Sequence, residues 1–175
     1  LYEAKLYSEF YCANKFAFDG RNLPLNDIPT DVALWSRPMF ENKIVSLISL
    51  SLNDYSSLLN TPASDAEDVA SFPEYIYKDL QPYLQHLSLF DVVSINAYDI
   101  LSIFCEGNDD GIPFNSEASA SPCRQLRFDI IEKALSIHND DKNLLSYAIA
   151  ASCMADILPP AKAKAFVAEQ YKFLS

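Results

Sequence analysis

The sequence predicts an all-α fold, a single domain over residues 1–175 built as a multi-helix bundle or short α-solenoid of about eight or nine helices. Three observations predict it. Apolar residues recur at three-to-four-residue spacing, the period of an amphipathic helix, along nearly the whole chain. Residues typical of helix starts and ends stand between these stretches. Half of the 175 residues are apolar, enough to build a core without disulfide or metal cross-links.

The first half of the chain contains four predicted helices. They cover residues 2–18, 30–35, 38–52 and 54–60. In the first, one apolar stripe is predicted to face the core, with Tyr7 and Tyr11 beside it. The stripe consists of Leu6, Phe10, Ala13 and Ala17. Asp19 and Gly20 are expected to end this helix, because glycine tolerates the left-handed conformation of a helix C-terminus. Leucine and serine alternate over 47–52, so a strand competes with a helix there.

The second half contains five predicted helices, separated by one long loop. They cover residues 73–87 with a kink at Pro82, 89–105 with Ser88 as cap, 122–137, 141–158 with Asn139 or Asp140 as cap, and a last helix ending at Leu174. Residues 106–121 form the clearest loop, which is also a possible subdomain boundary. No repeat period holds across the chain.

The cysteines and the hydropathy pattern indicate in which cellular compartment the protein is expected. No run of about 18 apolar residues occurs, so no membrane-spanning helix is predicted. The chain begins at Leu1, which leaves open whether an upstream targeting segment was removed. Cysteines stand at widely spaced positions without a C-x-x-C pair, namely Cys12, Cys105, Cys123 and Cys153. We expect reduced core thiols and a cytoplasmic location, with one or two disulfides as the alternative.

Negative charge is concentrated in the middle third of the sequence. The net charge is -11 and the pI is about 4.4. Between Asp54 and Glu117 there are twelve acidic residues and one basic residue, Lys78, so this segment carries the whole excess. Direct binding to nucleic acid is disfavoured, because that interaction needs a basic surface. A field of this kind speeds the encounter with a basic partner, although a face that merely keeps the protein soluble remains the alternative.

Acidic and tyrosine side chains of this segment are the candidate partner-binding residues. They are Asp65, Glu67, Asp68, Glu74, Tyr75, Tyr77, Asp79, Tyr83, Asp109 and Asp110. Tyrosine combines a rigid apolar ring with a hydroxyl group and is favoured at interfaces. The alternative is that these tyrosines line the core with their hydroxyls at its edge.

One stretch resembles a calcium-binding loop in its spacing. Positions 1, 3, 5, 6 and 12 of such a loop are matched by Glu106, Asn108, Asp110, Gly111 and Glu117. The first position normally carries the shorter aspartate, position 8 is a proline, and the residues that follow make a poor exiting helix. We therefore expect an acidic loop and no metal site.

No residue pattern indicates catalysis or a cofactor. His86 and His138 are far apart in sequence and have no second histidine at helical spacing. His138 is expected to interact with the dipole at the C-terminus of its helix, and the pair Asp140 and Asp141 with the dipole at a helix N-terminus.

The sequence thus favours a non-enzymatic protein that binds a basic protein partner, of the type of an immunity protein or antitoxin that inhibits a toxin such as a nuclease. No cofactor, nucleic-acid or membrane partner is expected. Two alternatives remain. One is a helical adaptor or scaffold module, and the other is an enzyme with a nonstandard Cys/His or carboxylate site.

Overall fold

The computed structural model describes residues 1–25, 27–66, 86–105, 121–141 and 143–174. These residues form eight α-helices and two 3-10 helices, and no strand occurs among them. The α-helices are α1 (Tyr2–Ala13), α2 (Lys15–Asp19), α3 (Arg37–Ser51), α4 (Tyr55–Asn60), α5 (Leu89–Cys105), α6 (Pro122–Asp141), α7 (Leu144–Ile157) and α8 (Pro160–Leu174). The 3-10 helices are Val32–Leu34 and Ala63–Ala66. The all-α prediction is confirmed.

The first predicted helix is divided, and it buries a different face. Asn14, with φ of -126°, separates α1 from α2. The buried side chains of α1 are Ala4, Ser8 and Tyr11. The predicted core stripe of Leu6, Phe10, Ala13 and Ala17 is wrong, since all four are exposed. The reason is aromatic packing: the Tyr11 ring lies between two other helices, 4.6 Å from Phe104 on α5 and 5.6 Å from Phe40 on α3, and is fully buried there.

Two further expectations for the first half need correction. Gly20 has φ of -81° and ψ of -3°, so the left-handed conformation expected there is not adopted. The predicted helix at 30–35 is reduced to the short 3-10 helix, whose cap is Asp31 and not Thr30. The indole Nε1 of Trp35 donates to the carbonyl oxygen of Pro29 at 2.7 Å, which holds this loop in its turn.

The segment 47–52, for which a strand was the alternative, is helical: it forms the end of α3, with Leu52 as the C-cap. Pro38 lies in its first turn, where the missing amide costs no hydrogen bond. Ile44 and Ile48 are one turn apart and fully buried. The hydroxyl of Ser51 donates to the carbonyl oxygen of Leu47 at 2.9 Å, so a serine of the alternating pattern is satisfied within the helix.

Helix α5 is the central helix and packs against α1, α3, α4 and α6. Its buried residues include Phe90, Ala97, Leu101 and Phe104. It begins as predicted at Ser88, because the Ser88 amide donates to Asp91 Oδ2 at 2.8 Å and the Ser88 hydroxyl accepts from the Asp91 amide at 3.3 Å. Such a reciprocal pair satisfies amides at the helix N-terminus.

Helices α6, α7 and α8 follow one another through short connections and pack in sequence, α6 on α7 and α7 on α8. The predicted cap of α7 is wrong: α6 continues through Asn139 and Asp140, and Asn143 is the cap, with its side chain accepting from the Ser146 amide at 3.2 Å. The start of α8 at Pro160 follows the predicted break at Pro159 and Pro160.

Candidate functional site

Asp65 is the one predicted partner-binding residue within the described part of the chain. It lies in the second 3-10 helix with an exposed side chain, and its carboxylate accepts a hydrogen bond from the Ser64 hydroxyl at 3.3 Å. The other predicted site residues lie outside the described residues, as do the calcium-like loop and nearly all of the predicted helix at 73–87. Those other residues are Glu67, Asp68, Glu74, Tyr75, Tyr77, Asp79, Tyr83, Asp109 and Asp110.

The residues that flank the segment 67–85 are hydrogen-bonded to each other at the N-terminus of α5. The Ala63 amide donates to the Leu87 carbonyl at 2.9 Å, and the Leu89 amide donates to the Thr61 carbonyl at 2.8 Å. The side chains of Ala63, Leu87 and Val92 are buried together beside these two backbone hydrogen bonds. The two ends of the first acidic stretch are therefore held side by side.

The ends of residues 106–120 are held by two oppositely charged side chains one turn apart on α3. Arg37 Nη2 donates to the Phe104 carbonyl oxygen at 2.7 Å, near the C-terminus of α5. Glu41 Oε1 accepts from the Ser121 hydroxyl and from the Cys123 amide, the latter at 3.4 Å, at the N-terminus of α6. Each charge suits the helix end that it meets, because a cation favours a C-terminus and an anion an N-terminus.

These two anchoring points lie at opposite ends of the central helix. Helix α5 has 17 residues, which at about 1.5 Å per residue separates its ends by roughly 25 Å. The acidic stretches 67–85 and 106–120 thus start from points on opposite sides of the helical body. Their placement around α5 was not evident from the sequence, because the Arg37 and Glu41 contacts join residues far apart in the chain.

A buried carboxylate, Asp91, joins three helices. Its Oδ1 lies 2.6 Å from Nε2 of His138 on α6, and its Oδ2 accepts from the Ser88 amide and hydroxyl, each at 2.8 Å, and from the Ser146 hydroxyl on α7 at 3.1 Å. Only 5% of Asp91 and 2% of His138 is exposed. His138 lies in the last turn of α6, as the sequence predicted. Its ring in addition pairs with a carboxylate from another helix, which the sequence did not reveal.

The electrostatics of this cluster favour an ionised Asp91. Burial disfavours the charged form, but the hydrogen bond and charge of His138, together with the Ser88 hydrogen bonds, outweigh it and lower the pKa of Asp91 below its ordinary value. Both carboxylate oxygens are occupied and the pair is closed to solvent. The arrangement therefore suits a link between α5, α6 and α7 better than a general base, which needs contact with a substrate.

A small cavity adjoins this cluster. Its volume is about 10 Å³, and its lining includes Asp91, Ser94, Ser146 and Cys153. Burial, reinforced by the charges of Asp156 and Asp99, raises the pKa of the Cys153 thiol to about 11. A thiol with such a pKa is almost wholly protonated at neutral pH, so Cys153 is a weak nucleophile.

An apolar groove of about 360 Å³ opens between α3, α4, α5 and α6. Its lining residues are Ser49, Leu52, Tyr55, Phe90, Leu126, Asp129, Ile130 and Lys133. At the rim, Lys133 Nζ lies 4.4 Å from the centroid of the Tyr55 ring. The volume falls within the range of ligand-binding pockets. Sequence analysis missed this groove because four helices contribute to it.

Exposed apolar side chains are concentrated in the N-terminal fifth of the chain. Among the described residues, eight of twelve exposed large apolar side chains lie before Trp35, and they are Tyr2, Leu6, Phe10, Phe16, Leu23, Leu25, Ile28 and Leu34. Single exposed apolar residues are ordinary. Of these eight, Tyr2, Leu6 and Phe10 belong to one helix and share one of its faces.

Comparison of this chain with protein-family models, with curated proteins and with solved structures finds no match. None of the described helices has the combination of length and hydropathy that crossing a membrane requires. Within the same residues, no three His, Cys, Asp or Glu side chains are grouped as metal ligands would be.

Proposed function

We propose that this chain is a binding protein that occupies a basic protein partner through its acidic segment, residues 54–117, in the manner of an immunity protein or antitoxin that inhibits a nuclease. The observation that carries the proposal is the charge distribution: the whole net charge of -11 lies in this segment. A concentrated field of one sign raises the association rate with an oppositely charged protein.

The described contacts support this proposal in one respect. Hydrogen bonds hold the residues at both ends of each acidic stretch. The Ala63–Leu87 backbone hydrogen bond flanks 67–85, and the Arg37 and Glu41 contacts flank 106–120. A recognition segment whose ends are held loses less conformational entropy on binding than a free chain. A cytoplasmic location belongs to the same proposal, because the four cysteines stand at widely spaced positions without a C-x-x-C pair.

The acids and the tyrosines have separate roles in the proposed complex. Long-range attraction by the acids governs association and is screened by salt over about 10 Å at 0.1 M. Tight holding comes from a few desolvated anchors, for which Tyr75, Tyr77 and Tyr83 are the candidates. The two contributions are separable, since charge mainly changes the association rate and anchors mainly change the dissociation rate.

The experiment uses a panel of purified basic nucleases, scored for loss of nuclease activity on addition of this protein. For an inhibited nuclease, association and dissociation rates are then measured at low and high salt. Replacing Asp65, Glu67 and Asp68 together by neutral amides should slow association severalfold at low salt and less at high salt. The matched control replaces three exposed acids of the back helices, Glu132→Gln, Asp156→Asn and Glu169→Gln.

Two outcomes count against the proposal. If no basic nuclease is inhibited and none is bound, the proposed partner class is wrong. If a nuclease binds but both triple variants change its association rate equally, net charge acts without localisation and the assignment to residues 54–117 is wrong. Replacement of one anchor tyrosine by alanine should speed dissociation at a cost of about 2 kcal/mol.

A helical adaptor is the second candidate function, and the apolar groove between α3, α4, α5 and α6 favours it. Its apolar lining with Lys133 at the rim suits the apolar face of an amphipathic helix that carries a carboxylate beside that face. Binding of such a helix would be weakened by Lys133→Glu and left unchanged by the triple amide variant. These two variants therefore distinguish the adaptor from the inhibitor.

A further inference from the structure

Helix α1 carries two apolar faces, and one of them is largely exposed. Within that face only the Phe10 ring lies against other rings of the described residues, 5.7 Å from Phe18 and 6.2 Å from Phe40. Ala4, Ser8 and Tyr11 point into the core. At 100° per residue, Tyr2, Leu6, Phe10 and Ala13 lie on the opposite side of the helix, and we call these four residues the α1 stripe. The exposed fractions of Tyr2, Leu6 and Phe10 are 59%, 46% and 40%. An exposed stripe with helical spacing is the pattern of a helix that packs on another helix.

We propose that the α1 stripe binds the α1 stripe of a second copy of this chain, with the two helices antiparallel about a two-fold axis between Leu6 and Phe10. In a symmetric contact, each residue must suit the residues that the same surface presents to it. Here large residues occupy the first half of the stripe and a small residue ends it. The antiparallel pairing places Tyr2 against Ala13 of the second copy and Leu6 against Phe10 of the second copy.

Charges beside the stripe fit the same arrangement. Lys5 and Glu9 lie on one flank of the stripe, and within the helix Lys5 Nζ is 3.8 Å from Glu9 Oε1. Residues on like flanks face each other when helices pair antiparallel, so Lys5 of each copy meets Glu9 of the other. The two-fold axis therefore produces two reciprocal ion pairs, whereas a parallel pairing would place the Lys5 and Glu9 flanks of the two copies on opposite sides and form no such pairs.

The size of the contact sets the expected affinity. A pair of 12-residue helices buries less than the about 800 Å² per partner of a standard interface. The ring of Trp35 stacks on that of Tyr7 at 5.4 Å, so the exposed Leu34, which precedes Trp35 in the chain, lies near α1. The dimer should therefore be weak and form as the protein concentration rises. This inference does not depend on the proposed function.

The first experiment is sedimentation of the whole chain over increasing concentration. The mass is expected to shift from that of the monomer toward twice that value. Leu6→Ser should remove the shift, whereas the matched variant Leu50→Ser, at another exposed leucine on α3, should keep it. Circular dichroism and thermal unfolding of each variant exclude misfolding as the cause. A wild-type chain that stays monomeric over the whole concentration range would overturn the proposal.

The second experiment tests the antiparallel register by charge exchange. Lys5→Glu alone and Glu9→Lys alone should each abolish the dimer, because each places four like charges around the axis. An equimolar mixture of the two variants should restore it as a heterodimer. The like-charge repulsion within each helix is unchanged by mixing, so restoration can come only from contacts between copies. A mixture that stays monomeric, with both variants folded, would rule out this register.

Discussion

Asp91 shows how one residue can serve the start of a helix and the core at once. Its amide and carboxylate form the reciprocal pair with Ser88 that begins α5, which could be anticipated from the sequence as a serine cap. The same carboxylate reaches Ser146 and His138 in the interior. Placed between three helices, it specifies how α5, α6 and α7 meet.

Removing the charge of Asp91 should destabilise the fold strongly. Asp91→Asn removes the charge that pairs with His138 and turns one of the two acceptor oxygens into an NH2 donor, so either His138 or the Ser88 and Ser146 hydroxyls lose their acceptor. Loss of one partner of a buried pair costs about 3 kcal/mol. The measurement is the free energy of unfolding in urea. Asp99→Asn is the matched control, because Asp99 is exposed on the same helix, and it should change stability little. Equal effects of the two variants would contradict the role given to the cluster.

The lowered pKa of Asp91 also predicts how stability depends on pH. The folded-state pKa lies below the ordinary value, so the contribution of the carboxylate is fully present above the unfolded pKa of about 3.9. It is lost as the pH falls through the folded pKa. Urea unfolding between pH 7 and pH 2 should therefore show the wild type approaching Asp91→Asn in stability under acid. A constant difference between them at all pH values would exclude this linkage.

At the scale of elements, local chemistry predicted where helices begin better than it predicted which side they bury. Ser88, Ser121 with Pro122, and Pro160 mark helix starts correctly, because caps and first-turn prolines act within a few residues. The buried face of α1 was predicted wrongly because the helix has two apolar stripes. The choice between them depends on partners from other helices, such as Phe104, whose ring lies 4.6 Å from that of Tyr11 and which leaves no mark in the local pattern.

The cap of α7 gives a test of this distinction. Asn143→Ala removes the acceptor of the Ser146 amide and the donor to the His86 carbonyl at 3.2 Å, so it should cost about 1 kcal/mol or somewhat more. Asp140→Ala, at a cap position expected from the sequence, lies on the exposed surface of α6 and should change stability by only a few tenths of a kcal/mol. Chemical denaturation of both variants decides between the two positions, and a larger loss in Asp140→Ala would contradict the observed cap.

At the scale of the whole molecule, the sequence reveals composition and charge but not which distant residues meet. The surplus of acids in 54–117 is a property of the chain and needs no structure. The Asp91–His138 pair spans 47 positions, and the groove draws residues from four helices. Neither follows from periodicity, since periodicity assigns a face to each helix without saying which faces come together.

The surplus charge should itself weaken the fold at neutral pH, and salt should relieve this. With a net charge of -11, repulsion among acids outweighs attraction unless the fold pairs them, and screening then favours the compact state. Raising sodium chloride from low to moderate concentration at pH 7 should therefore raise the unfolding temperature. At pH 5, nearer the pI of about 4.4, the same salt should have a smaller effect, because fewer unbalanced charges remain. Differential scanning calorimetry measures both series. A fall in the unfolding temperature with salt at pH 7 would mean that attraction within ion pairs outweighs the repulsion among the surplus acids, and it would contradict this prediction.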